Sequence, residues 1–136
     1  MRRPDHSAAA RLSAGVIAGI ALASVALQWW DRVATDGLSP VAALWDLAFF
    51  FTILTTLLVA WTLGRLAFTS ARPAAAWLGA LTVAIVLVAI VYHLLLRGLR
   101  DLSVMGQIAD WGLHTVGPLL LVLWWLRFSP RGALWF

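Results

Sequence analysis

The chain has 136 residues, of which 62% are hydrophobic and 12% charged, and its mean hydropathy is +0.90. A soluble domain is about half apolar and about a quarter charged, so this composition excludes a disordered tail, a solenoid and a conventional water-soluble enzyme. Cysteine is absent, which removes disulfides, thiolate metal sites and cysteine catalysis. Ten Arg and six Asp, with no Lys or Glu, give a net charge of +4. The Arg stand singly between apolar blocks rather than along polar faces, so nucleic acid is not the expected partner. The composition points instead to an all-α, polytopic transmembrane bundle, one membrane domain over residues 1–136, with membrane lipids as its surroundings.

A helix needs about 20 apolar residues to cross the hydrocarbon core, and four spans are predicted, at residues 12–30, 42–64, 73–96 and 107–128. The first span holds Gly15-x-x-x-Gly19 with Ala14 and Ala18 beside it, a spacing that lets two helices pack closely. Ala21-Leu22-Ala23 has the form of a signal-peptide cleavage site. The apolar run continues past it to Trp29 and Trp30, so the span is expected to be retained. Pro40 and Pro73 precede spans 2 and 3, where a helix start tolerates proline, and Pro130 follows span 4.

Orientation follows from the flanking charges. Arg2, Arg3, Arg11, Arg65, Arg72, Arg127 and Arg131 fall on one side, and only Arg32, Arg97 and Arg100 on the other. Asp31, Asp36, Asp46, Asp101 and Asp110 share that second side, leaving Asp5 alone on the first. Both termini are therefore expected in the cytoplasm, with the chain in the inner (plasma) membrane. Trp positions agree, since Trp favours the water–lipid boundaries: Trp29, Trp30, Trp45 and Trp111 lie at predicted outer ends, and Trp61, Trp77, Trp124 and Trp125 at inner ends.

Polar groups within the spans are the candidate site, because an ionisable side chain in lipid is costly and faces the bundle interior. At 1.5 Å per residue, Thr52 lies about 15 Å below the outer boundary, His114 about 10 Å and His93 about 5 Å. Three helices thus bring polar groups into one half of the membrane, where an outward-opening pocket could form. In span 4, Gln107, Asp110, His114, Gly117 and Pro118 share one helical face. Asp110, one turn before His114, is placed to accept an imidazole N–H and fix the tautomer. Pro118 deprives the His114 carbonyl of its donor, so the helix should bend or open there. Thr52, judged from its helix alone, is expected to bond the carbonyl four residues back. Tyr92 and His93 read either as a boundary anchor or as support for the site. No metal-ligand cluster, phosphate loop or nucleophile elbow is present.

Three segments, in order, resemble the androgen-induced-gene-like (AIG-like)/FAR-17a family of integral membrane proteins, and most closely its bacterial six-span branch. They are Phe50-Phe51-Thr52-Ile53-Leu54-Thr55, then Val91-Tyr92-His93-Leu94-Leu95-Leu96-Arg97-Gly98, then Asp110-Trp111-Gly112-Leu113-His114-Thr115-Val116-Gly117-Pro118. The likeness runs over residues 42–132 and includes Ser129-Pro130-Arg131-Gly132. It implies an intramembrane threonine hydrolase cleaving lipid esters, namely fatty acid esters of hydroxy fatty acids. By motif position the nucleophile carries over to Thr52 and the base to His114, with no cofactor; Asp110, Tyr92 and His93 are expected as supporting residues from their placement, and His93 has no clear animal counterpart. The animal members carry an amide where Asp110 stands and a longer gap between the His and the proline. With four spans expected against six, either the chain is a shortened product or a second copy or another partner supplies the missing wall. Two other readings compete. One is a non-enzymatic membrane subunit or transporter fragment. The other is a haem held by His93 and His114, which a depth mismatch of about 5 Å disfavours.

Overall fold

The computed structural model describes residues 7–69 and 72–129, which are helical and contain no strand. Arg2, Arg3 and Asp5, counted above for orientation, lie outside the described residues, as do residues 130–136 of the tail. Helix α1, Ala8–Ala34, starts where the Ser7 hydroxyl accepts the Ala10 N–H. Helix α2, Pro40–Ala48, is capped in the same way by Ser39 on Ala42. Helix α3 is Phe51–Phe68, and α4, Ala75–Val91, runs on through a π-helical turn, Tyr92–Leu96. The last rod comprises α5, Val104–Trp111, a second π turn, Gly112–Val116, and α6, Gly117–Phe128. Among the described residues, three helices are long and apolar enough to cross a membrane: Ala8–Ala34, Phe51–Phe68 and Ala75–Leu96.

The rods alternate in direction. Arg11, near the start of α1, donates to the Ala67 carbonyl at the end of α3 at 3.0 Å. Trp77, at the start of α4, donates to Thr62 near that same end at 3.0 Å. Trp124, late in α6, donates to the Ala10 carbonyl at 3.1 Å. Arg11 and Arg65 therefore gather at one end of the bundle. Arg32 meets Asp36 and Asp46 at the other, where Arg100 also reaches Asp36.

The seam between α1 and α3 is built on small residues. Ala10, Ala14 and Ala18, four apart on one stripe of α1, are all buried. Of the glycine pair beside them, Gly15 is the closely packed one: a Cβ there would lie 3.3 Å from that of Ala67, whereas one on Gly19 would meet nothing. Leu63, Leu66, Leu78, Ile85 and Leu121 complete the core. The outer faces carry Leu12, Val16 and Leu22 on α1, Leu54, Leu57 and Trp61 on α3, and Val83, Leu87 and Ile90 on α4, all exposed. In water such a surface would be a large unpaired apolar patch, whereas hydrocarbon leaves it without penalty. Polar groups lie inside, with Ser24, Thr55, Thr56, Thr62 and Thr82 buried.

Two predicted boundaries need correction. Span 1 does not stop at Trp30; α1 continues to Ala34 and buries Asp31 and Arg32. Those charges are tolerated because they are paired: Asp31 accepts from the Ser103 and Thr35 hydroxyls, and Arg32 meets Asp36 at 3.0 Å and Asp46 at 3.5 Å. Span 2 is not one continuous helix over 42–64. It breaks at Phe49 and Phe50, where Phe50 turns extended (φ −88°, ψ 119°) and α3 begins afresh. No Gly or Pro marks this break. It coincides with contacts from the end of α1: Arg32 reaches Asp46 before the break and lies over the Phe50 ring within it, 5.7 Å from the centroid. Non-helical backbone at such a place is tolerated where it lines a cavity.

Candidate active site

The broken segment, the end of α1 and the two π turns surround a cavity of about 330 Å³, within the range of small-molecule sites. Its apolar walls are mainly leucine, with Phe50 and Ile53, and its polar groups are Gln28, Arg32, Thr52, Tyr92, Arg100, Asp110 and His114. Thr52, Tyr92, Asp110 and His114, all singled out from sequence, thus line one space.

Thr52 is the second residue of α3. Because the helix restarts at Phe51, no continuous turn connects Thr52 to the carbonyl of Ala48, and the expected bond four residues back is not made. Its hydroxyl has no hydrogen-bond partner among the described residues, and neither have the backbone N–H groups of Phe51, Thr52 and Ile53. The first intrahelical bond of α3 is Leu54 N–H to the Phe50 carbonyl. No side chain caps this helix, so a free hydroxyl and the open donors of a helix start stand together beside the cavity.

His114 sits in the middle of the second π turn. A π turn holds one extra residue, closes with i→i+5 bonds and recurs at functional sites. Its cause is legible in the chain. Pro118 cannot donate to the carbonyl four residues back, and the register widens just before it. The turn closes by the Gly117 N–H on the Gly112 carbonyl, and a Cβ on Gly117 would lie only 2.8 Å from that oxygen. The group that lies close to Gly117 is thus the carbonyl of its own helix.

The His114 Nδ1 lies 3.1 Å from the Asp110 carboxylate and 3.1 Å from the Asp110 carbonyl. Neither neighbour is a donor in the ionised state, so Nδ1 carries the hydrogen and Nε2 of the neutral ring keeps its lone pair. The second carboxylate oxygen of Asp110 accepts from the Tyr92 hydroxyl, and the Tyr92 ring stacks on the imidazole, centroids 3.8 Å apart and 14° from parallel. Asp110 and His114 side chains are 18% and 13% exposed, so this network works largely away from water, where each hydrogen bond counts for more.

Not every expected residue joins. His93 is exposed, bonds the Thr115 hydroxyl at 3.0 Å and does not line the cavity. Gln107 turns outward and donates to the Leu102 carbonyl. Arg32 and Gln28 were missed as cavity residues, because Arg32 was read as a charge marking the end of a span. Their i, i+4 spacing on one face of α1 was the available signal. Among the described residues no cluster of His, Asp or Glu is able to hold a metal ion. No family model, no curated protein and no solved structure matches this chain.

Proposed function

We propose that the chain crosses the plasma membrane four times with both termini in the cytoplasm, and that the cavity is the active site of an intramembrane hydrolase of lipid esters. One observation carries the enzymatic reading: a threonine hydroxyl with no partner and an imidazole of assigned tautomer line the same largely apolar space. The motif order that resembles the AIG-like/FAR-17a family selects the same two residues. Alternating rods, with Arg11 and Arg65 at one end and most described Asp at the other, support the orientation.

In this mechanism the Thr52 Oγ attacks the acyl carbonyl while His114 Nε2 takes the hydroxyl proton. Asp110 stabilises the imidazolium that forms and holds its ring, as the acid does in a Ser-His-Asp triad. The negative oxygen of the tetrahedral intermediate develops beside the first turn of α3, whose free N–H groups offer donors. The intermediate collapses, the leaving alkoxide takes the proton from His114, and an acyl-threonine ester remains. Water, deprotonated by His114, then attacks that ester. A carboxylic acid is released, and the Thr52 hydroxyl recovers its proton. The apolar walls suit acyl chains, and entry from the surrounding lipid would deliver a water-insoluble ester directly.

Purified protein in detergent tests this with a fluorophosphonate probe and a fluorogenic long-chain ester. Thr52→Ala should abolish labelling and turnover while the helical circular dichroism and melting temperature stay as in the wild type. His114→Ala should lower turnover by about 10²- to 10⁴-fold. Turnover that persists in both variants refutes the reading.

A further inference from the structure

We infer that Tyr92 is a positioning residue of this site, acting on His114 from two directions at once. The inference rests on the hydrolase reading for its catalytic consequence, but its geometric content stands independently.

Tyr92 begins one π turn and His114 lies inside the other, so the contact ties together two helices at the points where both leave α-helical register. The hydroxyl donates to Oδ2 of Asp110 while Oδ1 faces His114 Nδ1. A carboxylate held at one oxygen cannot rotate about its χ2 without losing that bond, so Oδ1 stays aimed at the imidazole. The Tyr92 ring, 3.8 Å from the imidazole centroid and nearly parallel to it, blocks one face of His114 and opposes a flip of the ring. A flip would put Cδ2 in place of Nδ1 and Cε1 in place of Nε2, which breaks the contact with Asp110 and moves the Nε2 lone pair. A boundary anchor would need neither contact, since anchoring asks only for an apolar ring with a polar tip near water.

The carboxylate is thereby shared. One of its oxygens faces the base and the other is held by the phenol, so both oxygens of Asp110 are fixed in direction. Tyr92 touches no reacting atom in this arrangement. Its effect is expected in the rate of the chemical step and in the state of the His114 ring, with binding of the ester left unchanged.

Tyr92 is the single tyrosine of the chain, which makes two independent tests clean. In the first, Tyr92→Phe keeps the stacked ring and removes the hydroxyl. Protein labelled with ¹⁵N-histidine in nanodiscs should show one His114 tautomer in the wild type, protonated at Nδ1, and a mixture of tautomers in Tyr92→Phe. The same variant should lose about tenfold in kcat, with KM within a factor of two. In the second, 3-fluorotyrosine replaces Tyr92 biosynthetically with no change in fold. Its ¹⁹F resonance should move on Asp110→Asn and, through ring-current loss, on His114→Ala.

An unchanged tautomer together with an unchanged kcat in Tyr92→Phe overturns the inference. So does a ¹⁹F resonance indifferent to Asp110→Asn, which also decides the matter if Tyr92→Phe does not fold. If wild-type protein turns over no ester, the hydrolase reading fails; the tautomer and ¹⁹F results still decide what Tyr92 does to His114.

Discussion

Gly112 is where packing and chemistry meet, and Gly112→Ala puts a number on the link. The new Cβ would overlie the Ser24 hydroxyl and come within 2.9 Å of the Ser24 Cβ, about 0.5 Å inside ordinary contact. Rotating the Ser24 hydroxyl away breaks its 2.8 Å bond to the Ile20 carbonyl but leaves the carbon–carbon clash. The π turn must therefore move off α1 by about half an ångström. A gap of that size forfeits about a quarter of the dispersion attraction between the facing atoms, where Val25 and Trp29 of α1 pack against the cluster of Leu47, Ile53 and Leu113. Overpacking of this kind costs about 1–3 kcal/mol, and replacing a helical glycine by alanine returns about 0.5–1 kcal/mol. A net loss of about 0.5–2 kcal/mol follows. His114 is two residues further along the same turn, so its ring shifts relative to Thr52. A 1 Å displacement of a reacting group costs about 10²-fold, and half of it about tenfold in kcat. The assay is unfolding in detergent together with ester turnover, on Gly112→Ala, Ser24→Gly and the double variant. Ser24→Gly removes the colliding Cβ and leaves only the Cα at 3.9 Å, an ordinary contact. The double variant should therefore resemble Ser24→Gly alone, giving a coupling equal to that net loss, about 0.5–2 kcal/mol. Wild-type stability and turnover in Gly112→Ala, or additive losses in the double variant, would refute the argument.

Asp110→Asn should lower kcat by about 10²- to 10⁴-fold with KM little changed. Its NH₂ group would favour the wrong His114 tautomer, while the backbone carbonyl at 3.1 Å still favours the right one and keeps the loss below its ceiling; single-turnover kinetics measure it. Arg32→Met should destabilise the protein by about 1–2 kcal/mol in detergent unfolding rather than the roughly 3–5 kcal/mol of a fully buried pair. The reason is that the abandoned partners Asp36 and Asp46 are 36% and 41% exposed and are resolvated. Turnover of a neutral ester by that variant reports whether the break at Phe50, which Arg32 overlies, needs the guanidinium to hold Thr52 in place.

The helical class, the apolar rods and the gathering of opposite charges at the two ends are legible in the chain because they are properties of composition and of near-neighbour spacing. A run without charge is helical in an apolar medium whatever it packs on, since its backbone has no other partner. The Asp110–His114 contact and the opening before Pro118 were likewise foreseeable: both lie within one or two turns of a single helix, where geometry is set by 3.6 residues per turn and by a missing N–H. The break at Phe49 and Phe50 was not foreseeable. Neither residue is a helix breaker, and the contacts that coincide with it come from Arg32, on another helix. For the same reason α1 outran its expected end: Asp31 and Arg32 read as polar stops until Ser103, Asp36 and Asp46 appear beside them.

The site itself divides along that line. Local spacing pairs an imidazole with its carboxylate. Bringing a hydroxyl to the same cavity, free of its own helix, needs α3 to start at Phe51 rather than run through from Pro40. Placing a phenol on both members of the pair needs α4 to end beside the last rod. These are contacts between groups far apart in the chain, and no periodicity within one segment encodes them.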